Sequence, residues 1–437
     1  MSALEGLFAP RTPAEFLRDV WGKRFERVPG HPEKFTPLLE WDALDGLIED
    51  HAFDPMRLRL VKDGKQVARG AYMDEQPFPQ VRTGDLVKQL RDGATLNINV
   101  IDRMHAPIRS LRDELVALLR EPVSVNMYAG WRTTQGFDVH WDEHDVLVLQ
   151  VAGRKRWKVW GDSRPHPISH ALDKDFAPST ELVWEGVVEQ GDLLYIPRGW
   201  WHVAVPMDEP SLHLSFGIET HTGRNLLLWL VDQATASSDW VRRDLPRRET
   251  EDERREHVAR LREAVLAQLS DDVLERYQAH RDASAAPPRI SAGLPWSALV
   301  SLPETGDWLV RLAVPRDATI TELPEEGRIQ LIAGGKQIRL PALARPILEA
   351  LLDDGPVAIS AVTVAAGGVA PETVRSLLGK LAAQGLLTVI GPAARGEATE
   401  RDGEMEVPEA RYALAHMLIR HRHPRSAVRL PDLRAEA

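Results

Sequence analysis

Two histidines and one aspartate have the types and spacing to hold a metal ion. His140 and Asp142 lie two apart in Phe137-Asp138-Val139-His140-Trp141-Asp142. On a β-strand, residues two apart face the same way, so both side chains can meet one ion. A third ligand is offered by His202, which ends the run Gly191-Asp192-Leu193-Leu194-Tyr195-Ile196-Pro197-Arg198-Gly199-Trp200-Trp201-His202. There the Gly-Asp turn launches an apolar strand, Pro197 and Gly199 break it, and His202 stands at the start of the next strand. Two imidazoles and a carboxylate on one face leave three positions open, the facial triad of non-haem iron(II) oxygenases. Two of those positions suit a chelating 2-oxo acid and the third suits dioxygen.

His-x-Asp alone is a common tripeptide. Its setting in β-rich sequence, with a histidine far downstream behind a strand of this kind, singles it out. His144 shares the period of two, but a facial triad needs three ligands, and His144 is expected where the strand has bent away. His166 and His170 fall in a Pro-containing connection and are expected at the surface. Of Trp131, Trp141, Trp200 and Trp201, most are expected in the core and Trp141 at the rim of the site. The chain has no cysteine, which excludes disulfides, thiolate-bound zinc, iron–sulfur clusters and thiol nucleophiles.

The elements that must position these residues follow from periodicity. Thr12-Pro13-Ala14-Glu15 is a capping box that opens a helix with Phe16, Leu17, Val20 and Trp21 on one face. From about 54 to 220 short apolar or alternating runs are divided by Gly, Pro and Asp turns, as in a β barrel or sandwich; Asp145–Val151, Arg156–Trp160 and Leu193–Ile196 are examples. From about 222 to 280 the period is helical, with Leu226–Val231 apolar and Val258, Leu261, Val265 and Leu269 recurring on a charged background. Ala283–Pro288 reads as a linker. Beyond it, Ala344–Leu352 and Glu372–Leu381 predict helices, Val357–Ser360 and Leu386–Ile390 predict strands, and Gly385 suits a helix C-terminus. Gly396–Glu406 reads as a polar loop. At 437 residues the chain has room for two or three domains.

The segments around the ligands resemble the JmjC hydroxylases, and most closely the cupin-4 branch that contains the bacterial ribosomal oxygenases. The resemblance is carried by Asn126-Met127-Tyr128, Gln135-Gly136-Phe137, His140-Trp141-Asp142, the run from Asp145 to Trp157, and the run from Gly191 to His202. It covers the first half of the chain in detail. It implies a mainly β catalytic domain, a double-stranded β-helix of the cupin or JmjC type, over residues 1–221. An α-helical dimerisation region over 222–297 and a C-terminal winged-helix domain over 298–437 follow. It also implies iron(II), with 2-oxoglutarate and dioxygen as cosubstrates. Lys155 matches the residue that binds the distal carboxylate of 2-oxoglutarate. A dicarboxylate bound through one end to a metal independently calls for a buried cation at the other. Arg154 and Arg156 flank Lys155 and should face the opposite way. Asn126, Tyr128 and His213 match polar positions of the cosubstrate pocket. The implied reaction is oxidative decarboxylation of 2-oxoglutarate coupled to hydroxylation of a protein side chain, Arg or His, on a basic ribosomal protein. A peptide natural-product precursor or a small molecule is the alternative target.

A formal net charge of −11 suits basic partners and disfavours general nucleic-acid binding. A rival reading is a non-catalytic cupin regulator with a DNA-binding winged helix. The candidate recognition helix carries only Arg375 and Lys380 against Glu372, fewer cations than DNA readers use, although Arg420–Arg425 forms a basic tail. A third reading, a cupin isomerase or simple metal binder, has no need of Lys155. No apolar run approaches the length of a membrane span and no secretory signal is visible, so a cytoplasmic protein is expected. The apolar stripes after residue 222 predict a homodimer.

Overall fold

The computed structural model describes residues 3–393 apart from 52, 54–55, 75–78, 171–176, 285–292, 299–301, 303–305, 314–317, 335 and 353–354. Met1–Gly391 form one compact unit. The chain opens with α1 (Ala3–Leu7) and α2 (Pro13–Asp19). The expected capping box starts α2: the Thr12 hydroxyl accepts from the Glu15 N–H at 3.2 Å, and the Glu15 carboxylate accepts from the Thr12 N–H at 2.9 Å. Phe16 is thereby set against Phe8 and, edge-on, against Tyr195 at 5.2 Å between ring centres.

Next come β1 (Glu26–Val28), α3 (Trp41–Asp50), β2 (Leu58–Lys62), β3 (Lys65–Gln66), α4 (Thr83–Arg91), β4 (Thr95–Ile98) and α5 (Ala106–Leu119). They lead into β5 (Val123–Gly130), β6 (Asp145–Ala152), β7 (Lys155–Asp162), β8 (Leu182–Val188), β9 (Leu193–Ile196), β10 (Trp200–Pro206) and β11 (Ser211–Ile218). One sheet has the order β1-β9-β6-β11-β5-β4-β2-β3; β10-β7-β8 form a second that closes over it. The pairings are antiparallel, and β11 lies between β5 and β6, its neighbours in space but not in sequence. The result is a mainly β barrel, as expected.

Alternation along the large sheet decides what lies inside. Leu58, Leu60, Leu96, Ile98, Val125, Met127, Leu147, Leu149, Leu212, Leu214 and Phe216 face outward into a core shared with α2, α3 and α5. That buries both faces of these strands, which is why β6 is apolar almost throughout. Residues of the opposite parity face the second sheet. Val146, Val148, Leu194 and Ile196 meet Trp157, Val159 and Val188 there in a smaller core. A row of polar side chains sits beside it in register: Arg59 opposite Asn97, Asn97 opposite Tyr128, Tyr128 opposite His213, and His213 opposite Gln150.

After the barrel come α6 (Gly223–Ser237), α7 (Asp239–Arg242), α8 (Glu251–Leu266) and α9 (Val273–Ser284). The expected linker begins inside α9, and residues 285–288 lie outside the described residues. The last part holds β12 (Trp308–Leu312), β13 (Thr319–Leu323), β14 (Arg328–Ala333), β15 (Lys336–Pro341), α10 (Arg345–Glu349), β16 (Val357–Ala358), α11 (Ile359–Ala365), α12 (Pro371–Ala383) and β17 (Leu387–Pro392). It makes two three-stranded sheets, β16-β12-β17 and β13-β14-β15, around a second core. Val357–Ser360 is a strand only to Ala358. Ser360 instead enters α11, its N–H donating to the Asp307 carboxylate at 3.0 Å. The β-branched residues of α11 mislead a propensity reading; capping from Asp307 and burial of Ile359 and Val362 override it. The polar loop at 396–406 and the basic tail at 420–425 lie outside the described residues. No helix among the described residues is long and apolar enough to cross a membrane.

Candidate metal centre and cosubstrate pocket

His140, Asp142 and His202 converge. Their ligand atoms lie within 4.8 Å of one another, the one such group among the described residues. His202 Nε2 is 3.4 Å from an Asp142 oxygen, and His140 Nε2 is 3.9 Å from the other. The means of convergence differs from the expected strand. Residues 131–144 run irregularly up to β6, with a single bridge in which the His140 N–H donates to the His202 carbonyl at 3.2 Å and the His202 N–H to the His140 carbonyl at 2.8 Å. The physical reason lies just upstream. The Gln135 and Gly136 carbonyls accept from the N–H groups of Asp63 and Gly64, the turn between β2 and β3, so they are not available to a neighbouring strand. Asp142 is fixed by its own carbonyl, which accepts from the Gly199 N–H at 3.0 Å.

Both imidazoles are oriented from behind. His140 Nδ1 lies 2.7 Å from the Asp138 carbonyl and His202 Nδ1 lies 3.0 Å from the Trp200 carbonyl. A carbonyl accepts only, so Nδ1 carries the proton and the Nε2 lone pair is left for a metal. Burial, reinforced by His140, pushes His202 down to about 4, which keeps it neutral and able to ligate. Burial acts to raise the Asp142 carboxyl, but His202 and His140 outweigh it and the group stays ionised. Two imidazoles with Nε2 free and one carboxylate on one side of a cavity fit iron(II).

That cavity has a volume of about 310 Å³. Lys155 closes one part of it from β7 and is 2% exposed, whereas Arg154 and Arg156 are exposed. Its ammonium donates to the Tyr128 carbonyl at 3.2 Å and to His213 Nδ1 at 2.8 Å. No carboxylate pairs with it among the described residues, and burial pushes it down to about 7. A buried cation without a counterion fits the far carboxylate of a dicarboxylate such as 2-oxoglutarate. Burial also pushes His213 well below the usual imidazole range, so it accepts rather than repels. Its ring stacks on Tyr128 at 5.0 Å. Tyr128 is pushed up to about 12 by burial and remains a hydroxyl donor. Asn126 also lines the cavity, and its amide oxygen accepts from the Val100 N–H at 3.0 Å.

Other placements differ from expectation. His144 does not bend away: it lines the same cavity, though outside the ligand group, with Nδ1 buried and without a hydrogen-bond partner among the described residues. Its ring lies against Gly217, where an added Cβ would come within 2.9 Å of it. Trp141 is buried at 5% exposure rather than at the rim, packed 4.0 Å from the ring of the exposed His170. Arg59, Thr95 and Ser215 also line the cavity and were missed. Their signal is the alternation of polar residues in apolar strands, as in Leu58-Arg59-Leu60.

Residues 103–226 match the family described as JmjC domain. The chain is 28% identical over 215 residues to a bifunctional lysine-specific demethylase and histidyl-hydroxylase NO66 of Drosophila persimilis, covering 48% of this chain and 31% of that protein. It is 27% identical over 218 residues to ribosomal oxygenase 1 of Gallus gallus, covering 48% of this chain and 35% of that protein. This chain thus spans about a third of the length of these two relatives. Among solved structures, YcfD, a ribosomal oxygenase from Escherichia coli in complex with cobalt and 2-oxoglutarate, aligns with a TM-score of 0.52 at 19% identity, covering 86% of this chain and 98% of that one. That likeness extends the shared fold beyond the barrel. The match to the JmjC domain thus covers residues 103–226, in a molecule whose fold resembles that of YcfD.

Proposed function

We propose that this chain is an iron(II)- and 2-oxoglutarate-dependent oxygenase that hydroxylates a side chain of a protein. The observation that carries the reading is the pairing, in one cavity, of the His140–Asp142–His202 face with the unpartnered ammonium of Lys155. The triad would hold iron(II), and Lys155 the distal carboxylate of 2-oxoglutarate. Tyr128, Asn126 and His213 would complete the pocket. When bound, iron(II) supplies the electrons that activate dioxygen against a 2-oxo acid. Overall, one oxygen atom ends in succinate and the other in the substrate hydroxyl, with carbon dioxide released. The chain's own part is to orient the ligands through the Asp138 and Trp200 carbonyls, to fix the cosubstrate's far end, and to keep the cavity dry with Val146, Val148 and Trp157.

The names of the relatives and neighbours support a protein substrate, and the acidic charge of −11 suits a basic ribosomal protein. Exposed apolar residues on α6 and α8 support a dimer through residues 222–297. The helices and small sheets after residue 298 are read as a winged helix that binds a partner rather than DNA. In the decisive experiment, iron-loaded protein is assayed for succinate release and for a +16 mass shift on ribosomal proteins. His202→Ala should lose metal and turnover while keeping its circular dichroism, because His202 lies on the cavity face and fills none of the outer core. Normal turnover in His202→Ala would sink the triad.

A further inference from the structure

The polar row across the inner face of the large sheet does not end with the groups assigned to 2-oxoglutarate. Its far end is Arg59, on β2, which also lines the cavity. Asn97 is fully buried, and its amide oxygen accepts from both Arg59 Nε at 3.2 Å and Arg59 Nη2 at 2.9 Å. The Asn97 amide nitrogen is spent on the Met127 carbonyl at 3.2 Å, which fixes the orientation of the pair. Asn99 adds a longer contact to Nη2 at 3.4 Å. The remaining terminal nitrogen, Nη1, has no partner among the described residues, and no carboxylate pairs with Arg59. This guanidinium is built in, oriented by neutral groups and left with donors to spare.

The charge of the cavity gives it a consequence. Asp142 is the one carboxylate lining the cavity among the described residues, and it belongs to the metal. The neighbouring acids lie outside the lining: Asp138 takes the Gln135 amide at 3.2 Å and packs against Gly64, Glu143 accepts from the His170 N–H at 2.6 Å, and Asp145 accepts from the Tyr195 hydroxyl at 2.7 Å. Iron(II), Asp142, the 2-oxoglutarate dianion and Lys155 together cancel. Arg59 therefore leaves the loaded cavity with a net positive charge. An arriving guanidinium or ammonium would meet that charge with no anion to pair with. A side chain with a lone pair or negative charge would take the unused Arg59 donors.

We propose that Arg59 sets the substrate class: the residue hydroxylated here bears a neutral or anionic hydrogen-bond acceptor, as imidazole, carboxamide and carboxylate do, and is not arginine or lysine. This rests on the oxygenase reading above and narrows it. The test uses five synthetic peptide pools with randomised flanks and a fixed central His, Asn, Asp, Arg or Lys. Affinity is read by fluorescence anisotropy on the full chain loaded with manganese and 2-oxoglutarate, and hydroxylation by mass shift on the iron-loaded protein. The His, Asn or Asp pools should bind and react at least about tenfold better than the Arg and Lys pools, the scale of one like-charge contact in a cavity. Arg59→Glu should reverse that order, and Arg59→Gln should abolish it. If Arg59→Glu misfolds, the native order and Arg59→Gln decide. Equal use of all pools, preference for Arg or Lys, or binding of none overturns the inference. Succinate release across the pools keeps the two readings apart: its absence with every pool sinks the oxygenase itself, whereas its presence beside a preference for Arg sinks only this proposal.

Discussion

At the scale of single residues, Lys155 makes the sharpest prediction. Lys155→Ala leaves the far carboxylate of 2-oxoglutarate without its cation, a loss on the order of 2–5 kcal/mol, or roughly 30-fold to several-thousand-fold in affinity. Burial also gives the native residue a pH signature, since it moves Lys155 from 10.5 down to about 7. Within that window the unfolded chain binds more protons than the folded one, so this group makes folding stability rise with pH. Cosubstrate binding needs the charged form, so 2-oxoglutarate affinity should fall above about pH 7, approaching tenfold per unit. Lys155→Arg should flatten the profile, because a guanidinium stays charged. Calorimetric titration of the manganese-loaded protein from neutral to alkaline pH would check it; a flat native profile would refute the role. Lys155 and the triad were legible because each sits in a compact local pattern. Arg59 was not, because its importance comes from its register with Asn97 and Tyr128, residues distant in sequence that only strand pairing brings beside it.

At the scale of elements, the inner faces of the strands were legible as alternation and opaque as a surface. Sequence spacing put Lys155 on the inner side of β7 and Arg156 outside, and burial agrees. The ligand segment reads as a strand in sequence but is irregular in the fold, because its backbone partners, the Asp63-Gly64 turn and the His202 bridge, are non-local. His144 was misplaced for the same reason. Its berth depends on Gly217 of β11, a residue on a strand remote in sequence that leaves room by having no side chain. Gly217→Ala should therefore push the His144 ring aside and cost about 1–3 kcal/mol. In the double variant with His144→Ala most of that loss should return. Thermal unfolding of both variants measures it, and an unrecovered loss would mean that Gly217 is needed for something other than His144.

At the scale of the whole molecule, the helices after the barrel leave apolar side chains in water: Leu227 at 54%, Leu228 at 50%, Val258 at 64% and Leu266 at 57% exposure. Two copies that buried these against each other would remove them from solvent. Light scattering should give twice the chain mass, and Leu228→Asp should shift the protein toward monomer. A native protein that stays monomeric at every concentration would refute the dimer. The composition and helical period foresaw these helices, and in the C-terminal part the strands β16 and β17, but not β12 or the sheet β13-β14-β15, whose short strands carry little periodic signal. The mutual bridge between His140 and His202 has a further effect. Two of the three ligands are also partners in the one ladder rung that ties residues 131–144 to β10. An ion gripping both imidazoles would rivet that rung from the side-chain face while the peptide groups hold it from the other. Metal loading should thus be visible in the backbone: exchange of the His140 and His202 amide protons should slow when manganese is added, and exchange in α12 should not change.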